Sequence, residues 1–551
     1  MIPTVAPRLD SWEAIRAAFH WQVPEHFNLA WACCDRHAEN PNALALIHVA
    51  DDGSVERWAF REIQRQANRL ANALVALGIQ PGDRVGLVLP QRPETGIAHM
   101  GLYKIGAVAL PLANLFGPEA LKYRLSDSGA RAVVYDVENR EKLDEIAPEL
   151  PDLEFRIQVD NDVSGAELGW ADLLAKGSDA FETRKTLAED PCWIIYTSGT
   201  TGNPKGALHA HRALIGHMPG WELSHDLGPK PGDLAWTPAD WAWIGGLANI
   251  VFCAWFHGVP VLSHRFRRFD PERALDLLAK HQVRNTFMPP TALKFLRQVS
   301  SSIDSSKLAL RSIMCAGEPL GAEMLHWGEA ALGVKINEMF GQTEVNYIIG
   351  NCQTLTPAKP GSMGRAYPGH EVAVINSEGQ PLPSGTMGEI AFKQGGDPVF
   401  FLKYWNNEQG TRNKFIGEWA RSGDEGVMDE EGFLWFSGRA DDVITSSGYR
   451  IGPAEIEDQL LKHPAVALAA TVGHPDKQRG EIVKAFIKLN PGHEGTDTLK
   501  HELQDLVRTR LSAHEYPRLV EFLDEFPLTT TGKVLRRVLR DRDRSQPDGH
   551  Q

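Results

Sequence analysis

Trp193-Ile-Ile-Tyr-Thr-Ser-Gly-Thr-Thr-Gly-Asn-Pro-Lys-Gly206 starts as an apolar run and ends as a loop of glycines, hydroxyls and one lysine. The apolar part reads as a buried strand, and the strand breaks into a turn-forming segment. Gly199, Gly202 and Gly206 let backbone N–H groups close on an anion. Thr197, Ser198, Thr200 and Thr201 add hydroxyls, and Lys205 adds a positive charge. The chemistry implied is polyphosphate binding, against the plainer reading of a surface loop. The loop is not a P-loop: in GxxxxGK[ST] the second glycine would fall on Pro204 and the Ser/Thr on Gly206.

On the N-terminal side of this loop, helical and strand patterns alternate. Trp58 to Leu77 places Phe60, Ile63, Ala67, Leu70, Leu74 and Leu77 at helical spacing. Gly78 and Pro81-Gly82-Asp83 end that helix, and Arg84–Leu89 reads as a short buried strand. A helix over Pro93–Ile105 and strands over Ala107–Leu112 and Ala132–Tyr135 follow. This β-α-β rhythm predicts a mostly parallel sheet with helices on both faces. It continues through 260–262, 285–288 and 312–315. The long apolar segment Gly245–Leu262 is interrupted by Asn249, His257 and Pro260, so it reads as a buried helix and strand rather than a membrane span.

After Gly361 short alternating runs at Glu371–Ile375 and Gly388–Phe392 suggest a compact antiparallel or barrel-like unit. After Gly438 the pattern is that of a small α+β domain, with helices over Pro453–Leu461 and 499–511 and strands over 465–472, 482–489 and 518–522. The expected organisation is an α/β N-terminal domain over 1–438, its barrel-like part over about 361–438, a mobile α+β domain over 439–545 and a disordered tail over 546–551.

The chain has 551 residues, 42% hydrophobic and 23% charged, with a net charge of -14. That balance argues against broad nucleic-acid binding, which needs a basic face. Six cysteines lack CxxC spacing, so neither a zinc site nor a disulfide framework is expected. No basic start followed by an apolar run opens the chain, and a cytoplasmic location is expected. Nothing in the sequence bears on oligomeric state.

Further segments accompany the loop in order: Cys315-AGEP-Pro319, Glu338-MFGQTE-Glu344, Gly388-Glu389, Ser422-GDEG-Gly426, Gly438-RADD-Asp442, Ser446-SGYRIGPAEIE-Glu457 and Thr531-GK-Lys533. Together with the loop they resemble the adenylate-forming superfamily, most closely the acetyl-CoA and medium-chain acyl-CoA synthetases. The resemblance spans nearly the whole chain. It implies ATP, Mg2+ and coenzyme A as reactants and cofactor, and a small carboxylic acid as substrate.

The same resemblance assigns roles. Gly317, Glu318 and Pro319 match the segment along the adenine, and Glu338, Met339, Phe340, Gly341 and Gln342 the strand end on its other face. Thr343 and Glu344 match the pair that holds the α-phosphate and its magnesium, Glu344 being the metal ligand. Asp424 matches the ribose ligand and Arg439 a second ribose or phosphate contact. Lys533 matches the catalytic lysine that bridges carboxylate and α-phosphate. Asp441 matches a hinge. Ser447, Gly448, Arg450 and Arg508 match contacts to coenzyme A, with Gly448 lining the pantetheine tunnel. Taken singly, each has a plainer reading: a turn, a core aromatic, or a solvated charge.

At Gly341 the acetate enzymes carry a tryptophan that ends the acyl pocket, so a deeper pocket is expected here. Ala316 and Gly245 match pocket positions and are small. Trp241, Trp243, Ile244 and Phe340 would supply apolar walls. The expected acid is longer than acetate: short branched or medium-chain, with acetyl/propionyl or an aryl acid such as benzoate as alternatives. Loading of a carrier protein, an inactive nucleotide-binding sensor and a P-loop phosphotransferase are weaker alternatives. Retention of Lys205, Glu344, Asp424 and Lys533 together speaks against an inactive sensor.

Overall fold

The computed structural model describes residues 5–160, 168–197, 204–318, 320–439, 442, 444–446, 449–476, 479–510, 515–529 and 533–545. The chain divides into two compact units. The larger comprises residues 1–358, 364–370 and 394–413, and the smaller 359–363, 371–393 and 414–551. The division differs from the one expected at residue 438, because 371–393 and 414–438 group with the C-terminal residues.

The larger unit is built on two sheets. In one, Leu44–Val49, Val261–Ser263, Ala235–Trp236, Asn285–Phe287, Ser312–Cys315 and Ile336–Gln342 lie side by side and parallel. In the other, Pro191–Thr197, Val108–Pro111, Arg84–Val88, Ala132–Tyr135 and Phe155–Gln158 are parallel neighbours. Lys205–Ala210 and then Lys403–Tyr404 extend that sheet antiparallel. Short, mostly apolar and buried strands such as Val108–Pro111 and Ala132–Tyr135 are what a helix-covered parallel sheet requires.

The helix expected from Trp58 begins at Phe60 instead and runs to Ala76. Val55–Ala59 is a strand, pairing antiparallel with Leu44–Val49 and setting Trp58 opposite Leu46. The Glu62 carboxylate accepts the Ala59 N–H at 2.7 Å and so fixes the helix start. Phe60, Ile63, Ala67, Leu70 and Leu74 form its buried stripe. Pro93–Ile105 forms as expected, opened by a proline at its first position and closed by Gly106. The apolar segment after Trp243 becomes a helix over Ile244–Gly246, a wider π turn over Leu247–Phe252 and a helical turn over Cys253–Phe256. Among the described residues no helix is long and apolar enough to cross a membrane.

In the smaller unit Val372–Ile375, Gly388–Lys393, Trp419–Met428 and Leu434–Arg439 form an antiparallel sheet. A second sheet contains Ile444–Ser446, Gly480–Leu489 and Val466–Asp476, with Leu519–Phe522 parallel to the central strand. Helices Pro453–Leu461, Asp497–Arg510 and Arg536–Ser545 accompany it.

Candidate active site

In the larger unit the site residues collect at the C-terminal ends of parallel strands, where open α/β sheets bind ligands. Cys315 faces Glu338 in parallel register. The turn through Ala316, Gly317 and Glu318 therefore leaves the sheet beside Glu338–Gln342. Gly317 has φ of +109°, a conformation that L side chains rarely adopt. Glu338 is buried, its carboxylate accepts the Leu320 N–H at 3.3 Å, and its carbonyl accepts two N–H bonds from Asn351 at 3.1 Å. Phe340 and Gln342 are half-buried and Met339 is buried.

Thr197 and Lys205 face one another in antiparallel register at the base of the glycine loop. Ser198, Gly199, Thr200, Thr201 and Gly202 lie outside the described residues, as does Pro319. What is described is the framework around the loop. Tyr196 donates its hydroxyl to the Asp127 carboxylate at 2.5 Å, and the Asp127 carbonyl accepts Trp405 Nε1 at 3.0 Å and Asn406 Nδ2 at 2.8 Å.

Glu344 is 7% exposed and receives a short hydrogen bond from the Tyr404 hydroxyl. The ring of the same tyrosine lies 5.3 Å from Lys205 Nζ. Thr343 is half-buried beside Glu344, and its carbonyl approaches the His209 ring. Burial holds that imidazole down to about 4, so it is neutral near pH 7. The donor chemistry at Glu344 fits Mg2+, a hard cation that takes one or two carboxylates together with phosphate oxygens.

The apolar wall follows Asp240. Asp240 Oδ1 accepts the Ala242 N–H at 2.9 Å and its carbonyl accepts the Trp243 N–H at 3.2 Å. Burial pushes this carboxyl up to about 6. Trp241 is fully buried, and Trp243 meets Phe116 edge-on at 5.8 Å. Ile244 and Ala316 are half-buried against the core cluster that contains Trp241, Phe287 and Met339. A Cβ on Gly245 would lie 2.9 Å from the Phe287 ring, a side chain.

Gly341 departs from its sequence reading. It sits in the antiparallel pair formed by Ile336–Gln342 and Asn346–Gly350, at a register shift. A Cβ there would lie 1.4 Å from the Asn346 carbonyl oxygen. The space that a missing side chain would leave is occupied by backbone. The glycine permits close approach of two strands and does not by itself deepen a pocket.

The smaller unit carries the remaining residues. Asp424 and Arg439 are register partners, with Arg439 Nη1 3.3 Å from Asp424 Oδ1. Ser422 Oγ accepts the Asp424 N–H at 2.9 Å, and Glu389 accepts the Gly423 N–H at 2.9 Å. Lys533 is exposed; its N–H donates to Thr529 Oγ1 at 3.0 Å, and its carbonyl accepts the Thr529 N–H at 2.7 Å. Arg508 lies on the exposed face of its helix, 2.6 Å from Asp505 and 5.9 Å from the Tyr516 ring. Asp441, Ser447, Gly448 and the Arg450 side chain lie outside the described residues.

Two residues at the site carry no sequence signal of their own. Tyr404, in Phe400-Phe-Leu-Lys-Tyr-Trp405, reads as a core aromatic, and Asp240 reads as a turn residue.

The AMP-binding enzyme family pattern matches residues 34–405, and the AMP-binding enzyme C-terminal domain matches 455–533. The chain is 37% identical over 547 residues to acyl-coenzyme A synthetase ACSM4, mitochondrial, of Rattus norvegicus, covering 97% of this chain and 93% of that one. It is 37% identical over 531 residues to acetyl-coenzyme A synthetase of Bacillus subtilis (strain 168), covering 95% and 91%. Among solved structures it is similar to the anthranilate CoA ligase AuaEII in complex with anthranoyl-AMP, with a TM-score of 0.86, 28% identity, and coverage of 95% and 98%. It is also similar to Brucella canis acyl-CoA synthetase, with a TM-score of 0.75, 33% identity, and coverage of 98% and 100%. With this coverage and the motifs in place, the chain belongs to the AMP-binding, adenylate-forming enzyme family and is an ATP-dependent, AMP-forming acyl-CoA synthetase.

Proposed function

We propose that the acid is a short branched or medium-chain carboxylate, activated in two steps. A carboxylate is a poor acyl donor because oxide would have to leave. In the first step its oxygen attacks the α-phosphorus of ATP and pyrophosphate departs. In the second the thiol of coenzyme A attacks the acyl carbonyl, losing its proton, and AMP departs. Lys533 acts in the first step, where two anions approach; one such donor is worth about 10^2 to 10^3 in rate. Lys205 and the loop that precedes it bind phosphate, and Asp424 with Arg439 binds ribose. Mg2+ held by Glu344 would neutralise phosphate charge. Asp441 serves as hinge, and Ser447, Gly448, Arg450 and Arg508 serve coenzyme A.

One observation carries the choice of acid: Trp241 lies in a core cluster against which Ile244 and the small residue Ala316 pack, while Trp243 packs against a second apolar cluster beside Phe116. Each additional buried methylene gains about 0.8 kcal/mol, so selection among homologous acids is expected to be graded. An aryl acid is the second reading, favoured by the aromatic lining and by similarity to solved anthranilate and benzoate CoA ligases. The test is AMP release with a panel of acids from acetate to decanoate plus benzoate. A maximum beyond acetate supports the proposal. Turnover of acetate alone overturns it.

A further inference from the structure

Tyr404 stands between the two charged residues assigned to the phosphates. Its hydroxyl donates to Glu344 Oε1, and its ring lies 5.3 Å from Lys205 Nζ, within cation–π range. A tyrosine filling core space has no need of both contacts, and this one is only 5% exposed.

The segment carrying it is tied to the same two places. The Phe401 N–H donates to the Glu344 carbonyl at 2.8 Å. The Leu402 N–H donates to the Leu208 carbonyl and the Trp405 N–H to the Gly206 carbonyl, each at 2.7 Å. Lys403 and Tyr404 thereby pair with the strand that begins at Lys205. Upstream, Arg212 donates to the carbonyls of Pro398 and Phe400 at 2.6 and 2.8 Å. Asp397 is held by buried His370 at 2.5 Å. Residues 397–405 thus form a strap whose backbone is fixed along the phosphate strand and against Glu344, with Tyr404 closing the link through its side chain.

We propose that Tyr404 is a positioning residue. Its hydroxyl orients the Glu344 carboxylate for Mg2+ on the nucleotide, while its ring steadies Lys205. The hydroxyl and the ring therefore have separable effects. This inference rests on the reading of Glu344 as the residue that meets magnesium.

Tyr404→Phe and Tyr404→Leu test it, with Glu344→Gln in parallel. Two measurements are made on the full chain: the rise in melting temperature with ATP across a Mg2+ titration, and ATP–pyrophosphate exchange. Loss of one hydrogen bond to a charged group is expected to raise the Mg2+ requirement of Tyr404→Phe about ten- to a hundredfold in both measurements. The KM for the acid should be unchanged. Tyr404→Leu is expected to raise the KM for ATP in addition, because the ring is lost too. If Glu344→Gln loses the Mg2+ response while Tyr404→Phe keeps the wild-type titration, the positioning role is overturned. If Glu344→Gln itself keeps that response, the reading of Glu344 fails first, and the role of Tyr404 with it. A fall in the melting temperature of Tyr404→Phe without ATP, with an unaltered Mg2+ titration, would make the residue merely structural.

Discussion

Arg439 Nη1 lies 3.3 Å from Asp424 Oδ1 across a register pair of adjacent antiparallel strands. The Asp424 side chain is 6% exposed and that of Arg439 38%. The carboxylate is therefore the enclosed partner, and the guanidinium reaches it from the solvent side. A carboxylate is acceptor-only, which suits two ribose hydroxyls. Asp424→Ala is expected to raise the KM for ATP about ten- to a hundredfold, the value of hydrogen bonds to a charged group. Arg439→Ala is expected to act more weakly, since a half-exposed pair is screened. Steady-state kinetics with ATP varied checks both. A larger effect from Arg439 would reverse the assignment.

Lys533 and Thr529 are joined by reciprocal hydrogen bonds. Both bonds use backbone atoms of Lys533, so Lys533→Ala is expected to keep them and to fold. ATP–pyrophosphate exchange is expected to fall about 10^2- to 10^3-fold. Thioester formation from supplied acyl-adenylate should persist, because in that step the acyl carbonyl is attacked and no carboxylate approaches the α-phosphorus. Equal loss of both activities would contradict the division of labour.

The Gly341 geometry changes which variant tests the acyl pocket. A tryptophan at this position would drive its Cβ into the Asn346 backbone, which is held by a 2.6 Å bond from Asn346 Nδ2 to Asn249. Gly341→Trp is therefore expected to disturb the 336–350 strand pair and lower the melting temperature, not simply to shorten the pocket. At Gly245→Ala the nearest atoms to the added Cβ are those of the Phe287 ring, at 2.9 Å. This variant is expected to fold and to move the acid preference toward shorter chains, read as ratios of kcat/KM across the acid panel. A stable Gly341→Trp variant that prefers acetate would show that the strand pair can open.

The parallel-sheet rhythm was legible because buried strands such as Arg84–Val88 and Ala132–Tyr135 are short apolar runs between turn signals. The helix starting at Phe60 was displaced from its sequence reading at one end, since Trp58 satisfies both a helical and a strand pattern and only pairing with Leu46 decides. Glycine and charged motifs pointed to most of the candidate site. What they could not expose was anything that depends on distant chain meeting near chain. Tyr404 and Glu344 are sixty positions apart, and no periodicity links them. Gly341 shows the opposite limit: an absent side chain says nothing about what fills its place.

Several buried histidines are expected to weaken the fold as pH falls. Burial lowers His99 and His211 to about 3 and His209 to about 4, against an ordinary value of 6.5. Each is neutral in the folded chain at pH values where the unfolded chain is already protonated. Their contribution is complete above pH 6.5 and is lost as pH falls toward 4 and 3. Urea midpoints measured from pH 7.5 to 4.5 should fall steadily below 6.5. His99→Gln is expected to flatten that slope by removing one titrating site. An unchanged slope would mean that His99 does not contribute.

Arg536, three positions after Lys533, sits 2.5 Å from Glu457 Oε2 and 3.1 Å from Glu457 Oε1. Arg540, one turn further, lies 2.9 Å from Asp442, and Arg536 reaches the same carboxylate at 3.9 Å. Glu457 also accepts the Thr471 N–H at 2.7 Å. The helix that follows Lys533 is thus bound to the 442 turn, to helix Pro453–Leu461 and to a strand of the C-terminal sheet. The side chains of Asp442 and Arg540 are 12% and 18% exposed, enclosed enough that removing one partner is costly. Arg540→Gln is expected to destabilise the chain by about 1–3 kcal/mol, discounted from the cost of breaking a fully buried pair. Asp442→Asn with Arg540→Gln should restore part of that loss, because no charge is then left without its counterpart. ATP–pyrophosphate exchange should fall more than thioester formation in Arg540→Gln, since Lys533 is proposed to act in the first step alone. A double-mutant cycle on melting temperature and on exchange decides: additive effects in both would show that Asp442 and Arg540 do not act together.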